Sequence, residues 1–493
     1  MIEQIEQING IINGYIWGVP ALTLLIGTGI LMTLRTKGFQ FRYFKHMWDV
    51  TIGAVFKNKD ITSSKDKNSI SQFQALCTAL SATIGTGNIT GIAVAITSGG
   101  PGAIFWMWIA AIVGMMTNFS ENVLGIFYRR KNKDGEWCGG AMYYLEDGLG
   151  AKFKTLGKVL AVLFASFAMI ASFGIGNMGQ VSSIKESILT AAGATGNVTA
   201  SIVIGLVIMF LAGLVILGGI TRIAKANEKI VPAMAGVYIL GAIIIIVMHS
   251  NQIIPAFQAI FSHALSSEAI TGGTLGTAIT WGFKRGVFSN EAGLGSSVIV
   301  HSASNVKEPV VQGLWGIFEV FFDTIIVCTL TALVILTSGL VSLETGVPFN
   351  SDLSSLGLVT EIFGSVFGTL GGVFLAVAIT LFAFSTVLGW SYYGTKSCEY
   401  LFGTKASQVY KLAFLGVVVV GCVLDASLII DISDTFNGFM AIPNLIGVVT
   451  LSGLVVKITN NYVQRVIKKK DIEPMLSNFA DLQALHAKEI AEK

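Results

Sequence analysis

Charge is what this chain carries least of: Asp, Glu, Lys and Arg make up 12% of its 493 residues, about half the share of a soluble domain. That excludes a water-facing surface over most of the molecule, and with it a soluble enzyme or a nucleic-acid-binding domain. Hydrophobic residues at 53% point instead to an integral membrane protein whose first partner is the lipid bilayer. Proline is scarce, 8 residues against 56 glycines, a balance that suits membrane helices packed closely through small residues. The five cysteines, Cys77, Cys138, Cys328, Cys398 and Cys422, lack paired spacing, and the five histidines lack ligand spacing. Neither a disulfide framework nor a structural metal site is expected, and the thiols read as small buried hydrophobes. No metal-ligand cluster, nucleophile–base pair or phosphate loop argues for an enzyme or an organic cofactor.

What the chain does have is long apolar runs. A run of about 20 residues crosses about 30 Å of hydrocarbon, and 11 qualify, within 15–34, 70–97, 101–128, 155–184, 199–219, 230–248, 272–302, 310–338, 366–394, 409–430 and 435–456. Glu3 and Glu6 precede the first run and basic residues follow it. That is the reverse of a cleavable signal, so this run is expected to remain in the mature protein. Basic residues mark cytoplasmic loops. Residues 35–68, 129–158, 222–229, Lys307, 396–411 and the tail from 457 hold 29 of the 32 Lys and Arg. These segments alternate with loops that carry none, which predicts a multi-pass cell-membrane protein with its N-terminus outside and its C-terminus cytoplasmic. The tail is expected to be an interfacial or solvated helix, its cluster Gln464–Lys470 facing anionic headgroups.

Two of the runs are interrupted. Residues 81–91, Ser-Ala-Thr-Ile-Gly-Thr-Gly-Asn-Ile-Thr-Gly, place glycines and neutral polar side chains in the centre of the charge-free stretch Ile70–Thr97. Residues 281–295 do the same to the seventh run. Irregular backbone at membrane depth is tolerated only where it lines a cavity, and two broken helices in corresponding positions, five spans apart, mark an inverted repeat with its site at the midplane. The expected architecture is all-α, about 11 transmembrane helices in a 5+5 inverted repeat with one extra N-terminal helix. Residues 1–68 form that helix and an inner loop, 69–250 the first repeat, 251–271 an outer loop and candidate lid, 272–456 the second repeat, and 457–493 the tail. Two motif matches are set aside. Gly174-x-Gly176-x-x-Gly179 lacks a βαβ context and Asn88-Ile-Thr90 lacks an exposed loop.

Gly85-Thr-Gly-Asn-Ile-Thr-Gly91, Gly99-Gly-Pro-Gly-Ala-Ile-Phe-Trp-Met-Trp108, Lys284-Arg-Gly-Val-Phe-Ser-Asn-Glu-Ala-Gly-Leu-Gly-Ser296 and Ser385-Thr-Val-Leu-Gly-Trp-Ser-Tyr-Tyr-Gly394 resemble the alanine or glycine:cation symporter (AgcS) family over nearly the whole chain. The resemblance implies the leucine-transporter-type fold of the amino acid–polyamine–organocation superfamily, a prokaryotic source, and sodium- or proton-coupled uptake of small amino acids. The monomer is the expected unit.

An amino-acid zwitterion needs both charges satisfied, because an unpaired buried charge costs several kcal/mol. The half-helix start after Gly85, Thr86 and Gly87 offers amides and a positive dipole end to the carboxylate. Carbonyls around Phe288 and Asn290 and the amide of Gln180 offer acceptors to the ammonium group. Phe173, Phe288 and Trp390 are candidate walls against larger side chains, with Thr386 one turn from Trp390 on the same face. Neutral oxygens without Asp or Glu suit a dehydrated alkali cation. The resemblance implies one sodium site from the carbonyls of Ser81 and Ile84 with the hydroxyls of Ser385 and Thr386, and a second, beside the substrate carboxylate, from Thr83 and Asn88. Six charges fall inside spans: Glu121, Lys284, Arg285, Glu291, Glu319 and Asp323. Lys284 and Arg285 are expected to pair with some of these acids as a gate or lock. An acid that titrates would make the carrier proton-coupled, which is the alternative reading; an ion channel is the rival from another class, against which the two matched breaks favour alternating access.

Overall fold

The computed structural model describes residues 2–64, 66, 68–265, 274–424 and 427–492. Among them, eight helices are long and apolar enough to cross a membrane, and the pair Ser427–Thr450 and Ser452–Ile467, bent by 59°, makes a ninth. The other two of the eleven expected spans fail that test because each is two short helices: Gln72–Thr83 with Thr90–Gly99, and Thr274–Asn290 with Ser297–His301. Numbered along the chain, these are spans two and seven.

Span two starts where its sequence says it should. Ser71 Oγ accepts from Gln74 N at 3.1 Å while Gln74 Oε1 accepts from Ser71 N at 3.0 Å, a reciprocal cap that satisfies two orphan donors. The break in span seven is made differently. Glu291, Gly293 and Gly295 all have positive φ, at 55°, 96° and 75°; two glycines adopt this at no steric cost, whereas Glu291 is held there by its surroundings. Spans four and eight each widen into a π-helical stretch, Gly174–Met178 and Phe321–Cys328, of the kind that turns extra side chains inward. The glycines of the set-aside dinucleotide match serve packing there: Gly174 lies against Ser433 of span eleven and Gly176 against Trp390 of span nine.

The basic segments meet at one end of the bundle, joined by Lys131–Asp66 at 3.6 Å, Lys396–Glu136 at 2.8 Å, Lys307–Glu489 at 2.6 Å and Arg465–Glu308 at 2.5 Å. One expectation changes here. The basic segment 222–229 is no loop but the start of one helix, Gly219–Met248, since Ile223, Ala224 and Asn227 are buried on one face and leave its cations on the other. The tail carries a helix, Ala480–Ala491, with His486 as its buried residue. It bends back after Ile467 so that Asn478 N donates to Phe127 O at 2.9 Å, and the helix Ala480–Ala491 seats His486 against Trp137. The candidate lid is helical over Ile253–Leu265 and packs on span three, with Phe257 on Trp108 and Phe261 on Phe105; residues 266–271 lie outside the described residues.

Candidate substrate and ion site

The two breaks face each other across a buried polar network. Gly85 opens the first, extended at φ −130° and ψ −155°, and a single turn, Thr86–Asn88, follows before the helix resumes at Thr90. Asn88 is fully buried and uses every atom of its amide. Oδ1 accepts from Gly85 N at 2.9 Å, while Nδ2 donates to Ser289 Oγ at 3.0 Å and to Asp323 Oδ1 at 2.6 Å. One side chain therefore ties spans two, seven and eight together. Asp323 also accepts from Ser289 and Thr324 at 2.9 and 2.8 Å, and Asn290 Nδ2 donates to Thr324 Oγ1 at 3.0 Å.

On the other side of Gly85 stands span nine. Thr386 Oγ1 donates to Ser81 O at 2.9 Å and to Phe382 O at 3.0 Å. A Cβ on Gly85 would lie 2.8 Å from Thr386 Oγ1 and 3.5 Å from Gln180 Oε1, so glycine is required for this approach. Gln180 Oε1 accepts from Thr86 Oγ1 at 3.3 Å, and its Nε2 is held by Ile175 O at 3.0 Å. The Phe288 ring covers Gly87. Beyond Phe288 opens a cavity of about 390 Å³, lined among others by Asn13, Lys284, Arg285 and Asp434.

The sequence-predicted residues thus fall into two groups. Gly85, Thr86, Gly87, Asn88, Gln180, Phe288, Ser81 and Thr386 meet around the first break, and Asn290 joins through Thr324 and Asp323. Others do not. Ser385 Oγ turns to Phe382 O at 2.9 Å and Met234 Sδ at 3.4 Å, and Thr83 Oγ1 points back along its own helix to Ala79 and Leu80 O, each at 3.4 Å. Ile84, by contrast, ends the first half-helix at ψ 90° directly before Gly85 and so stands at the break itself. Phe173 packs on Tyr410 and Phe414 of span ten at ring separations of 5.1 and 5.9 Å. Trp390 is fully buried, seated on Gly176 and 5.4 Å from the Tyr393 ring.

The intramembrane cations are not paired as expected. Lys284 lies 3.8 Å from Asp434 and donates to Asn13 Oδ1 at 3.3 Å, and Arg285 lies over the rings of Trp281 and Phe288. Both face the cavity beyond Phe288. Among the described residues no Lys or Arg forms an ion pair with Glu121, Glu291, Glu319 or Asp323. Sequence reasoning missed Asp323, Ser289 and Thr324 as members of the network. It also missed Asn227, whose Nδ2 donates to Ser81 Oγ at 2.8 Å while its buried Oδ1 has no protein partner among the described residues. An acid within an apolar span was the signal for Asp323; Asn227 was hidden by reading 222–229 as a loop.

Among the described residues, nine apolar crossings and two broken ones, the breaks facing each other across a buried polar network, make up a leucine-transporter-type fold. The crystal structure of MhsT in complex with L-phenylalanine has this fold, matching 86% of this chain and 97% of its own with a TM-score of 0.54 at 13% identity. The chain belongs to the sodium:alanine symporter family, whose model matches residues 2–476, a family of cation-coupled amino-acid symporters. It is 46% identical to the sodium/alanine symporter AgcS of Methanococcus maripaludis, over 92% of this chain and 96% of that one. It is 37% identical to a Bacillus subtilis protein named as the probable sodium/glutamine symporter GlnT, over 96% and 93%.

Proposed function

We propose that this protein imports a small neutral amino acid, alanine or glycine, together with sodium by alternating access. The observation that carries the reading is the convergence of Gly85, Gln180 and Thr386 on one break whose lining oxygens are uncharged. Gly85 N–H is taken by Asn88, so the substrate carboxylate is received by the N–H groups of Thr86 and Gly87, which open the turn and have no partner within it. Gln180 Oε1 and carbonyls near the second break receive the ammonium. Phe288 closes the pocket toward the cavity that holds Lys284 and Asp434.

Sodium sits between spans two and nine, where the carbonyl of Ser81 already meets Thr386 Oγ1; Ile84 O and a rotated Ser385 complete the set. An ion bound there favours the arrangement that also binds substrate, which is how one gradient drives the other. Asn88 serves less as an ion ligand than as the brace of the break, since both ends of its amide are committed. The N-terminus faces outside and the basic end, with the tail, faces the cytoplasm.

The test is uptake of labelled alanine into proteoliposomes under an imposed sodium gradient. Saturable accumulation that collapses when the gradient is dissipated is expected. Equilibration without accumulation would indicate a channel, and accumulation equal in sodium-free medium would remove sodium as the coupling ion.

A further inference from the structure

At the basic end of the bundle a cavity of about 660 Å³ opens between the hairpin after span three, the start of span four, the end of span nine and the start of span ten. None of the residues assigned to substrate or sodium lines it. Five cations do, Arg130, Lys131, Lys133, Lys158 and Lys405, against two acids, Glu146 and Glu399. Both acids are already engaged. Glu146 accepts from Lys158 at 2.7 Å, Arg130 at 3.3 Å and Tyr400 at 2.8 Å, and Glu399 accepts from Lys396 at 2.8 Å and Asn132 at 2.9 Å. Arg130 also lies 3.6 Å from Asp147, and Lys131 3.6 Å from Asp66. Lys133 and Lys405 differ from these: both are exposed, and their side chains make neither an ion pair nor a hydrogen bond among the described residues.

The rim of the same cavity is apolar. Phe402 lines it and is 66% exposed. Leu156 and Val159, on either side of Lys158 in span four, and Val409 and Leu412, in the next turns of span ten, are exposed as well. Bare apolar side chains on the flank of a membrane helix face acyl chains, so the cavity joins a hydrocarbon-facing surface to a surplus of positive charge. A soluble anion would use only the cations, whereas an anionic amphiphile uses both. A zwitterionic headgroup carries its own cation and gains less from the surplus. Span ten adds to the positive side, since Thr404–Val423 begins at Gly403 on the cavity wall and no side chain caps it, which leaves its first N–H groups to an outside acceptor.

We propose that this cavity is a headgroup site for an anionic phospholipid of the leaflet that the basic end faces. The phosphate is received by Lys133, Lys405 and the start of span ten, and the acyl chains run along Phe402. Arg130 and Lys158, held against Glu146, shape the wall, while the two lysines without partners supply the charge that the headgroup meets. A lipid seated there ties the hairpin after span three to the start of span ten. The site rests on the membrane-spanning fold and not on the identity of the transported solute.

The test is a titration of the purified full-length protein in micelles with phosphatidylglycerol or phosphatidylcholine, the bound lipids being resolved by native mass spectrometry. The wild type is expected to retain phosphatidylglycerol in preference to phosphatidylcholine. Lys133→Gln combined with Lys405→Gln should weaken phosphatidylglycerol about 10- to 30-fold, at about a factor of five for each basic residue. Lys469→Gln combined with Lys470→Gln, in the exposed tail cluster, should leave it unchanged. Phe402→Ser separates a lipid from a soluble anion: it should weaken phosphatidylglycerol severalfold, and excess inorganic phosphate should not displace the lipid from the wild type. Equal retention of the two lipids overturns the proposal, as does wild-type binding in the Lys133 and Lys405 double variant. A tail variant that loses as much assigns the binding to diffuse charge and overturns it too. Displacement by inorganic phosphate, or Phe402→Ser binding as the wild type does, makes the cavity a site for a free anion and removes the lipid. Sodium-driven alanine uptake decides the symport reading separately, so the failure of either is read apart from the other.

Discussion

Asn88 Nδ2 and Asp323 Oδ1 lie 2.6 Å apart, in a bond that joins the broken centre of span two to the π-helical stretch of span eight. The same amide holds Gly85 N–H through its oxygen, so the bond sets the shape of the loop that receives the substrate. Replacing Asp323 by Leu leaves the buried Nδ2 short of its charged acceptor. Breaking such a bond costs about 1–3 kcal/mol, and alanine affinity is expected to fall about 5- to 150-fold at that cost. Equilibrium binding of labelled alanine measures it. Unchanged affinity would show that the brace does not shape the site.

Gly85→Ala tests the approach of span nine. Its Cβ would stand 2.8 Å from Thr386 Oγ1, too close without a shift, and overpacking of this kind costs about 1–3 kcal/mol. Sodium-dependent uptake should fall about 5- to 150-fold at that cost while the purified protein stays monodisperse. Wild-type uptake in the variant would place substrate and ion elsewhere.

Thr386→Val keeps the side chain's size and removes the hydroxyl that meets Ser81 O. Loss of one ligand oxygen is worth about 1 kcal/mol. Alanine affinity should drop severalfold at low sodium and recover at high sodium, because coupling between ion and substrate is reciprocal. A variant equally impaired at all sodium concentrations would show Thr386 acting on substrate alone.

The tail helix should respond to acid. Burial and the neighbouring Arg129 hold His486 down to about 4, against a usual 6.5. The docked tail therefore binds this proton less readily than the undocked one. Docking is at full strength above about pH 6.5 and weakens as pH falls toward 4, below which no further loss follows. Distances between spin labels at residues 482 and 133, followed from pH 8 to 5, should lengthen in the wild type. In His486→Phe they should not change with pH.

Topology is testable independently. A thiol introduced at residue 3 in a cysteine-free background should react with an impermeant reagent in intact cells, and one at residue 470 only after permeabilisation. The opposite pattern would reverse the orientation of the whole bundle.

Much of this architecture was legible in one dimension. A membrane helix must satisfy its backbone within itself, so span length and hydropathy are written locally, and the eleven runs reappear as nine apolar crossings and two broken ones. The breaks were legible for the same reason: clusters of glycine and polar residues such as Gly85, Thr86 and Gly293 are conspicuous within long apolar runs. The capping pair Ser71 and Gln74 is equally local.

What the sequence by itself determined, then, was which segments cross and which two are interrupted. Only the tertiary structure decided who meets whom. Lys284 finds Asp434 from a span far along the chain rather than the acids near it, Asn88 spends its amide on Asp323, Ser385 and Phe173 turn to other neighbours, and Asn227 arrives at Ser81 from a helix that extends through a segment rich in cations. Hydropathy is a property of one segment, whereas a hydrogen bond or ion pair between spans depends on the rotation of both helices and on widenings such as those at Gly174 and Phe321. Those rotations are set by packing of all eleven spans at once, and no single stretch of sequence contains them.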